Sequence, residues 1–419
     1  MKNISISLYL DKRRVKQSGK YPLKLRVYDS FSRKQKHLST AFDLDETAFS
    51  QAYELKRTKS AYKELRYRLT ALENRAQEVA KELNPFSFRE FEKRLFRKRD
   101  EGSNVVYHLN CMIKDKLAGG GSVKTARSYQ SSIKSLDNYT IVKFSRSFEQ
   151  FSFYEVDVEF LRGYEHFLVE EKKLSLATVG VYLRNVRTAF NEAISQKDID
   201  PDISPFGKRG YKIPAVRGRK NALKPSELKL LFNAKPATPQ QEKAKDLWFF
   251  LYVCNGMNIN DVVRLKAENL DDRNNCFSFY RGKTKNTSKS NLTEVKVYLN
   301  EYSKRIIEKY RNPHNSSNEY LFPFIKDASN EEAIVNKVEK LTRFINTHFK
   351  KLALDNSIET NVSTNVSRHS YATFSVNNGR SLEAVQEALG HKNIKTTQNY
   401  FAGFDEEAKR EFAQKIMDF

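Results

Sequence analysis

Four short segments in the C-terminal half of the chain hold the side chains best suited to chemistry. They are Phe249-Phe-Leu-Tyr-Val-Cys-Asn-Gly-Met-Asn-Ile-Asn-Asp-Val-Val-Arg-Leu-Lys266, Phe279-Tyr-Arg-Gly-Lys-Thr284, Asn365-Val-Ser-Arg-His-Ser-Tyr-Ala-Thr373 and Leu389-Gly-His-Lys-Asn-Ile-Lys-Thr-Thr-Gln-Asn-Tyr400. Arginine offers a planar fork of donors that fits a phosphate. A tyrosine hydroxyl, with a pKa of about 10, is a poor nucleophile at neutral pH unless it is assisted. Taken alone, Tyr400 is one of 21 tyrosines, and most tyrosines simply pack or hydrogen-bond. The whole chain points toward an anionic partner. Lys and Arg number 74 against 51 Asp and Glu, a formal net charge of +23. Such a charge self-repels, so nucleic acid is the first partner to consider and a membrane surface the second.

In order and spacing, these segments resemble the tyrosine recombinase (phage integrase) family. The similarity covers roughly residues 220–415, and its last motif is the most specific part. The upstream layout is similar to integrases of mobile elements, in a style closest to those of conjugative transposons from Bacteroides-type bacteria. The resemblance implies that the Tyr400 hydroxyl attacks the scissile phosphate of double-stranded DNA. A 3′-phosphotyrosyl bond forms and a 5′-hydroxyl leaves. The bond energy is kept, so neither ATP nor a metal nor another cofactor is needed. The resemblance also makes Arg368 the holder of a non-bridging oxygen, His391 a hydrogen-bond donor to the phosphate, and Lys283 the general acid for the leaving oxygen. A salt-bridging Arg368 and a His391 that caps the next helix are the structural alternatives. His369 reads as structural. Assembly as a homotetramer on two paired sites is implied, with accessory DNA-bending proteins.

Two positions depart from the family pattern. Asn258 stands where the family has its first arginine, and Asn365 where it has a histidine. Asparagine donates a hydrogen bond but carries no charge and shuttles no proton. Arg281 lies two residues before Lys283, and in a strand such residues share a face with Phe277 and Phe279. Arg281 is therefore the candidate to replace the missing arginine, the alternative being an ordinary phosphate contact. Lys285 and Lys289, in the hairpin turn, read as such contacts.

The elements that must carry these residues divide into three domains and a linker. Residues 1–100 begin with three strands, in which Ile4, Ile6, Leu8 and Leu10, then Leu23, Leu25 and Val27, alternate with polar residues, while Lys36 to Phe42 is less regular. The polar face and the adjoining turn carry Lys12, Arg13, Arg14, Lys16, Lys24 and Arg26, a basic sheet that would lie in a major groove if it is not merely a solvated surface. A charged helical connector follows, over residues 47–100. Residues 101–200 show helical periodicity at about 104–117, 122–138, 157–172 and 177–195, with Ser122 and Ser175 as N-caps and Gly119-Gly-Gly121 as a break. This is a small, SAM-like core-binding bundle. Residues 201–220 read as an exposed basic linker, rich in proline and glycine. Residues 221–419 form a mixed α/β catalytic domain, in which Pro225 opens a helix and a hairpin runs from Asn275–Lys283 to Thr293–Leu299. The fold class is thus mainly α with small β elements. Residues 405–417 read as an amphipathic helix that packs either on a neighbouring protomer or on its own domain.

Other classes fit less well. No apolar run approaches the roughly 20 residues of a membrane span, and the start, MKNISISLYLDKRR, has no secretory layout. A soluble, cytoplasmic protein is expected. Cys111, Cys254 and Cys276 are too scattered for a disulfide framework or a zinc site. A recombinase-like DNA-binding protein with impaired catalysis would explain Asn258 and Asn365. A type IB topoisomerase would share the tyrosine chemistry. The late Gly-His-x-x-Ile-x-Thr-Thr-x-x-Tyr motif and the upstream domains favour the recombinase.

Overall fold

The computed structural model describes residues 4–13, 15–96, 101–118, 122–207, 210–215, 221–281, 294–313, 319–326, 328–404, 409–410 and 413–414. Arg14, Gly119-Gly-Gly121, Lys283, Lys285 and Lys289 lie outside the described residues, as does most of the segment 405–417. The chain forms two compact units. One holds Met1–His108, Glu149–Asp157 and Phe190–Ser204; the other holds Leu109–Phe148, Val158–Ala189 and Pro205–Phe419.

In the first unit, β1 (Ile4–Leu10), β2 (Tyr21–Asp29) and β3 (Lys34–Leu44) form an antiparallel sheet in that order. The alternation read from the sequence sets its two faces. Leu8, Leu10, Leu23, Leu25, Val27 and Leu38 are buried. They pack with Leu69 and Ala76 of α2 (Lys63–Glu82) and with Phe91 and Leu95 of α3 (Phe88–Leu95), which follow the short α1 (Glu46–Phe49). The other face pairs Ser7 with Arg26 and Arg26 with His37, and Tyr9 with Lys24 and Lys24 with Ser39.

The helical middle matches the expected periodicity: α4 (Val105–Ala118), α5 (Val123–Phe144), α6 (Val158–His166) and α7 (Leu176–Ser195). Ser122 caps α5 through the Thr125 N–H, and Ser175 accepts from the Thr178 N–H. Within the second unit, Tyr139 of α5 sits among Phe160, Tyr164 and Phe167, with ring centroids 5.3 Å from each. The segment after α7 departs from the expected exposed linker. Pro205 and Tyr211 are buried, and the Tyr211 hydroxyl donates to Glu165. A proline- and glycine-rich composition permits extended backbone, but it does not stop an aromatic side chain from finding a core.

The rest of the second unit contains α8 (Pro225–Asn233), α9 (Pro239–Val253), α10 (Ile259–Val262), a sheet of β4 (Leu270–Asp271), β5 (Cys276–Tyr280) and β6 (Glu294–Tyr298), then α11 (Glu301–Tyr310), α12 (Glu331–Asp355), α13 (Thr364–Asn377), α14 (Leu382–Leu389) and α15 (Ile394–Gln398). Trp248 of α9 is fully buried and stacks on Phe349 of α12 at 4.7 Å. Its indole N–H donates to the Ser363 carbonyl, 3.1 Å away, at the N-terminus of α13. The core thereby fixes the helix that carries Arg368. No helix among the described residues is long and apolar enough to cross a membrane.

Candidate active site

The motif at residues 389–400 has a local logic. Helix α14 ends at Gly390 in the left-handed conformation (φ +63°), the geometry glycine adopts without penalty. The chain reverses there and delivers His391 inward. Asn393 then caps α15 by accepting from the Lys395 N–H at 2.9 Å. The helix cap is therefore Asn393, not His391. One turn of α15 places Thr397 beneath His391, and Tyr400 follows the helix end.

Arg368 is the centre of the site. It is 4 % exposed. Its Nη1 donates to the Gly256 carbonyl at 2.8 Å, and its Nη2 donates to the Leu389 carbonyl at 2.6 Å and to His391 Nε2 at 2.8 Å. Arginine cannot accept, so His391 Nε2 is the acceptor, and its Nδ1 carries the hydrogen toward Thr397 Oγ1, 3.0 Å away. The guanidinium carbon stands 5.3 Å from the centroid of the Tyr400 ring. Two imidazoles also lie against that ring, with centroids 5.2 Å away for His391 and 4.6 Å for His369. Arg281 follows β5 directly. It is continuous in parity with Phe277 and Phe279, whose side of the hairpin faces the core. Its Nη1 donates to the Gly390 carbonyl at 3.1 Å. The two arginines thus dock on consecutive carbonyls, Leu389 and Gly390.

The charges are arranged for an anion. Burial, together with the neighbouring charge of Arg281, pushes the Arg368 pKa down to about 10. Asp261, itself buried, stands 3.9 Å from Arg281 Nε and partly offsets that repulsion. Arg368 Nε is buried without a hydrogen-bond partner among the described residues. A phosphate oxygen would satisfy such a donor and relieve the repulsion between like charges.

The two substituted positions do not join this cluster of donors. Asn258 is exposed and spends its side-chain oxygen on capping α10 through the Asn260 N–H. Asn365 is exposed in the first turn of α13. Residues that sequence reasoning missed are Asp261, Thr397, and the carbonyls of Gly256 and Leu389. Asp261 had a readable signal, since it lies three residues after Asn258 and so on the same side of a helical turn. Carbonyl acceptors have no signature in residue type.

Both glycines beside the arginines are sterically required. A Cβ on Gly256 would stand 2.9 Å from Arg368 Cα, and one on Gly390 would stand 2.5 Å from Val295 Cγ2 and 2.8 Å from Arg281 Cδ. Gly390→Ala should lower stability by roughly 1–3 kcal/mol and impair cleavage by displacing Arg281. Gly379 also has positive φ but open space around it. Gly379→Ala should therefore carry the backbone penalty while retaining activity. Denaturant titration and a cleavage assay on both variants test this pair.

Of the basic residues expected to meet DNA from the first sheet, Lys12, Arg13, Lys16 and Lys24 are paired. Lys12 meets Glu46 and Lys16 meets Asp43, each at 2.7 Å. Arg13 and Lys24 converge on buried Asp11 at 2.8 and 2.6 Å, holding its carboxyl well below the usual carboxylate range. Arg26 is exposed, bonds Ser7 Oγ at 3.1 Å, and meets no carboxylate at ion-pair distance among the described residues.

Residues 221–407 match the phage integrase family, residues 107–213 the phage integrase SAM-like domain, and residues 8–89 an Arm DNA-binding domain. The tyrosine recombinase XerC of Natranaerobius thermophilus is 28 % identical over 283 residues, which is 64 % of this chain and 89 % of that protein. XerC of Bacillus subtilis is 26 % identical over 308 residues, covering 66 % of this chain and 90 % of its own. Among solved structures, the Tn1549 transposon integrase in complex with transposon right end DNA superposes with a TM-score of 0.53 at 18 % identity, covering 75 % of this chain and 99 % of that one. At that identity the likeness is one of fold.

Proposed function

Because this chain belongs to the phage integrase family of tyrosine recombinases, enzymes that break and rejoin DNA strands in site-specific recombination, we propose that Tyr400 is its nucleophile and that Arg368 and Arg281 together hold the reacting phosphate. The observation that carries this reading is the docking of both guanidinium groups on the consecutive carbonyls of Leu389 and Gly390, with the Tyr400 ring against Arg368. In the reaction, the Tyr400 oxygen forms a bond to phosphorus as the bond to the 5′-oxygen breaks. The negative charge gathers on the non-bridging oxygens, and fixed cations stabilise it without reorganisation. The leaving 5′-oxygen takes a proton, the role assigned to Lys283. Return attack by a 5′-hydroxyl from a partner strand regenerates Tyr400. No net oxidation or hydrolysis occurs.

The biological reading is integration or excision of a mobile element by a cytoplasmic enzyme working as a homotetramer with accessory DNA-bending proteins. The matches to an arm-binding and a SAM-like domain upstream of the catalytic region support it. Residues 1–100 would bind arm sites, 101–200 and 221–419 the core site, with 201–220 connecting them. A supercoiled plasmid carrying the element's joined ends and its target tests the proposal. Recombinant junctions are expected; relaxation without exchange would instead favour a topoisomerase.

The paired cations refine which residues meet arm DNA. Arg26→Ala should weaken binding and lower the slope of log affinity against log salt by about 1. Lys12→Ala and Lys16→Ala should change the slope less, since each lysine already has a carboxylate. Equal effects in a gel-shift salt titration would contradict this.

A further inference from the structure

The segment that bears Tyr400 has little regular structure of its own. Helix α15 ends at Gln398, and residues 401–404 belong to no helix or strand. The Tyr400 N–H reaches back to the Thr397 carbonyl at 2.9 Å, and the Phe401 N–H to the same carbonyl at 3.3 Å. Beyond that, the segment is tied to α13. His369 Nδ1 lies 3.2 Å from the Tyr400 carbonyl oxygen. A carbonyl only accepts, so Nδ1 carries the hydrogen and donates. Thr373 Oγ1 accepts from the Ala402 N–H at 3.0 Å. His369 and Thr373 are four residues apart on α13 and so share one face. The His369 ring also lies against the Tyr400 ring, with an interplanar angle of 33°.

Two bonds therefore bracket the tyrosine, one at its own carbonyl and one two residues on. Both come from the helix that carries Arg368, and His369 is its immediate neighbour in sequence. At Gly403 the backbone turns through a positive φ of +116° into open space.

We propose that His369 and Thr373 form a latch that docks the Tyr400 segment onto the Arg368 helix of the same chain, and that both are positioning residues for DNA cleavage. This rests on Tyr400 being the nucleophile. An irregular segment left to itself would spread the hydroxyl over many positions, and a misplacement of about 1 Å costs on the order of 10²-fold in rate. The latch removes that freedom before DNA arrives. Its geometry also ties the spacing of nucleophile and arginine to a single rigid helix.

The test uses the full-length protein and a nicked suicide substrate under single turnover, with DNA binding measured separately. His369→Phe keeps a ring and removes the donor. His369→Asn replaces the ring with an amide whose N–H can take the place of Nδ1. Thr373→Val keeps the shape and removes the acceptor. DNA affinity should stay within about twofold in all three. Cleavage should fall by about 10- to 100-fold in His369→Phe and Thr373→Val, and His369→Asn should recover most of it. The ¹⁹F resonance of 3-fluorotyrosine at position 400 should broaden or shift in the two impaired variants, while a merely structural role would leave it unchanged in protein that still binds DNA. Wild-type cleavage by His369→Phe and Thr373→Val would overturn the latch, as would failure of His369→Asn to rescue. If His369→Phe does not fold, Thr373→Val carries the same expectation alone. Tyr400→Phe run alongside separates the two claims. Loss of adduct there with full activity in the latch variants defeats only the latch, whereas an adduct persisting in Tyr400→Phe defeats the nucleophile assignment beneath it.

Discussion

Replacing Arg368 with alanine is expected to lower single-turnover cleavage by on the order of 10³-fold or more, with DNA affinity changed far less. The side chain is buried, ties Gly256, Leu389 and His391 together, and keeps one donor without an acceptor among the described residues. Removing it takes away a cation and the geometry of its neighbours at once. Arg368→Lys should restore little, because a point charge cannot bond both carbonyls and still address a phosphate. The pH behaviour follows from the depressed pKa. In the folded protein, the cation is disfavoured relative to the unfolded chain, so its charge costs stability wherever it is protonated, and that cost is relieved only as pH rises through about 10. Between neutral pH and about pH 9 the group stays charged, and cleavage should not titrate with it. Loss of DNA affinity equal to the loss in rate would instead make Arg368 a simple binding contact.

Arg281→Ala should cost about 10²- to 10³-fold in cleavage, a larger penalty than a peripheral phosphate contact would give. Asn258 is exposed and occupied as a helix cap, so it cannot supply the charge that the family places there. Arg281 reaches the carbonyl next to the one that Arg368 holds, and its charge is felt at Arg368. Buried Asp261 keeps a carboxylate near its guanidinium. Arg281→Lys should retain part of the rate. If Arg281→Ala cleaved normally and only flattened the salt dependence of binding, the replacement reading would fail while that for Arg368 stood.

Much of the architecture was readable because it rests on periodicity. The two-residue alternation of Leu8 and Leu10 and of Leu23, Leu25 and Val27 gave the inner face of the first sheet. The third strand was less legible because Lys34 and Lys36 stand at the inward-parity positions ahead of Leu38 and because His37 to Leu44 lacks a strict alternation; it runs from Lys34 to Leu44. The burial of Tyr211 was hidden by the prolines and glycines around it. At the site, side-chain identities were visible in the motifs, while their partners were not. Arg368 is held by backbone carbonyls 112 and 21 residues away. The same limit governs the basic sheet. Lys12 looks like a free charge until folding brings Glu46, 34 residues on, beside it. Residue type announces a donor, and only tertiary structure says what already occupies it.

Whether Tyr400 is the nucleophile is decided by the covalent intermediate itself. A nicked suicide substrate carrying the cognate recombination site should trap a denaturant-stable protein–DNA adduct. Peptide mass spectrometry should place the 3′-phosphoryl group on Tyr400, and Tyr400→Phe should form none. An adduct that survives in Tyr400→Phe, or one mapped to a different tyrosine, would contradict the account.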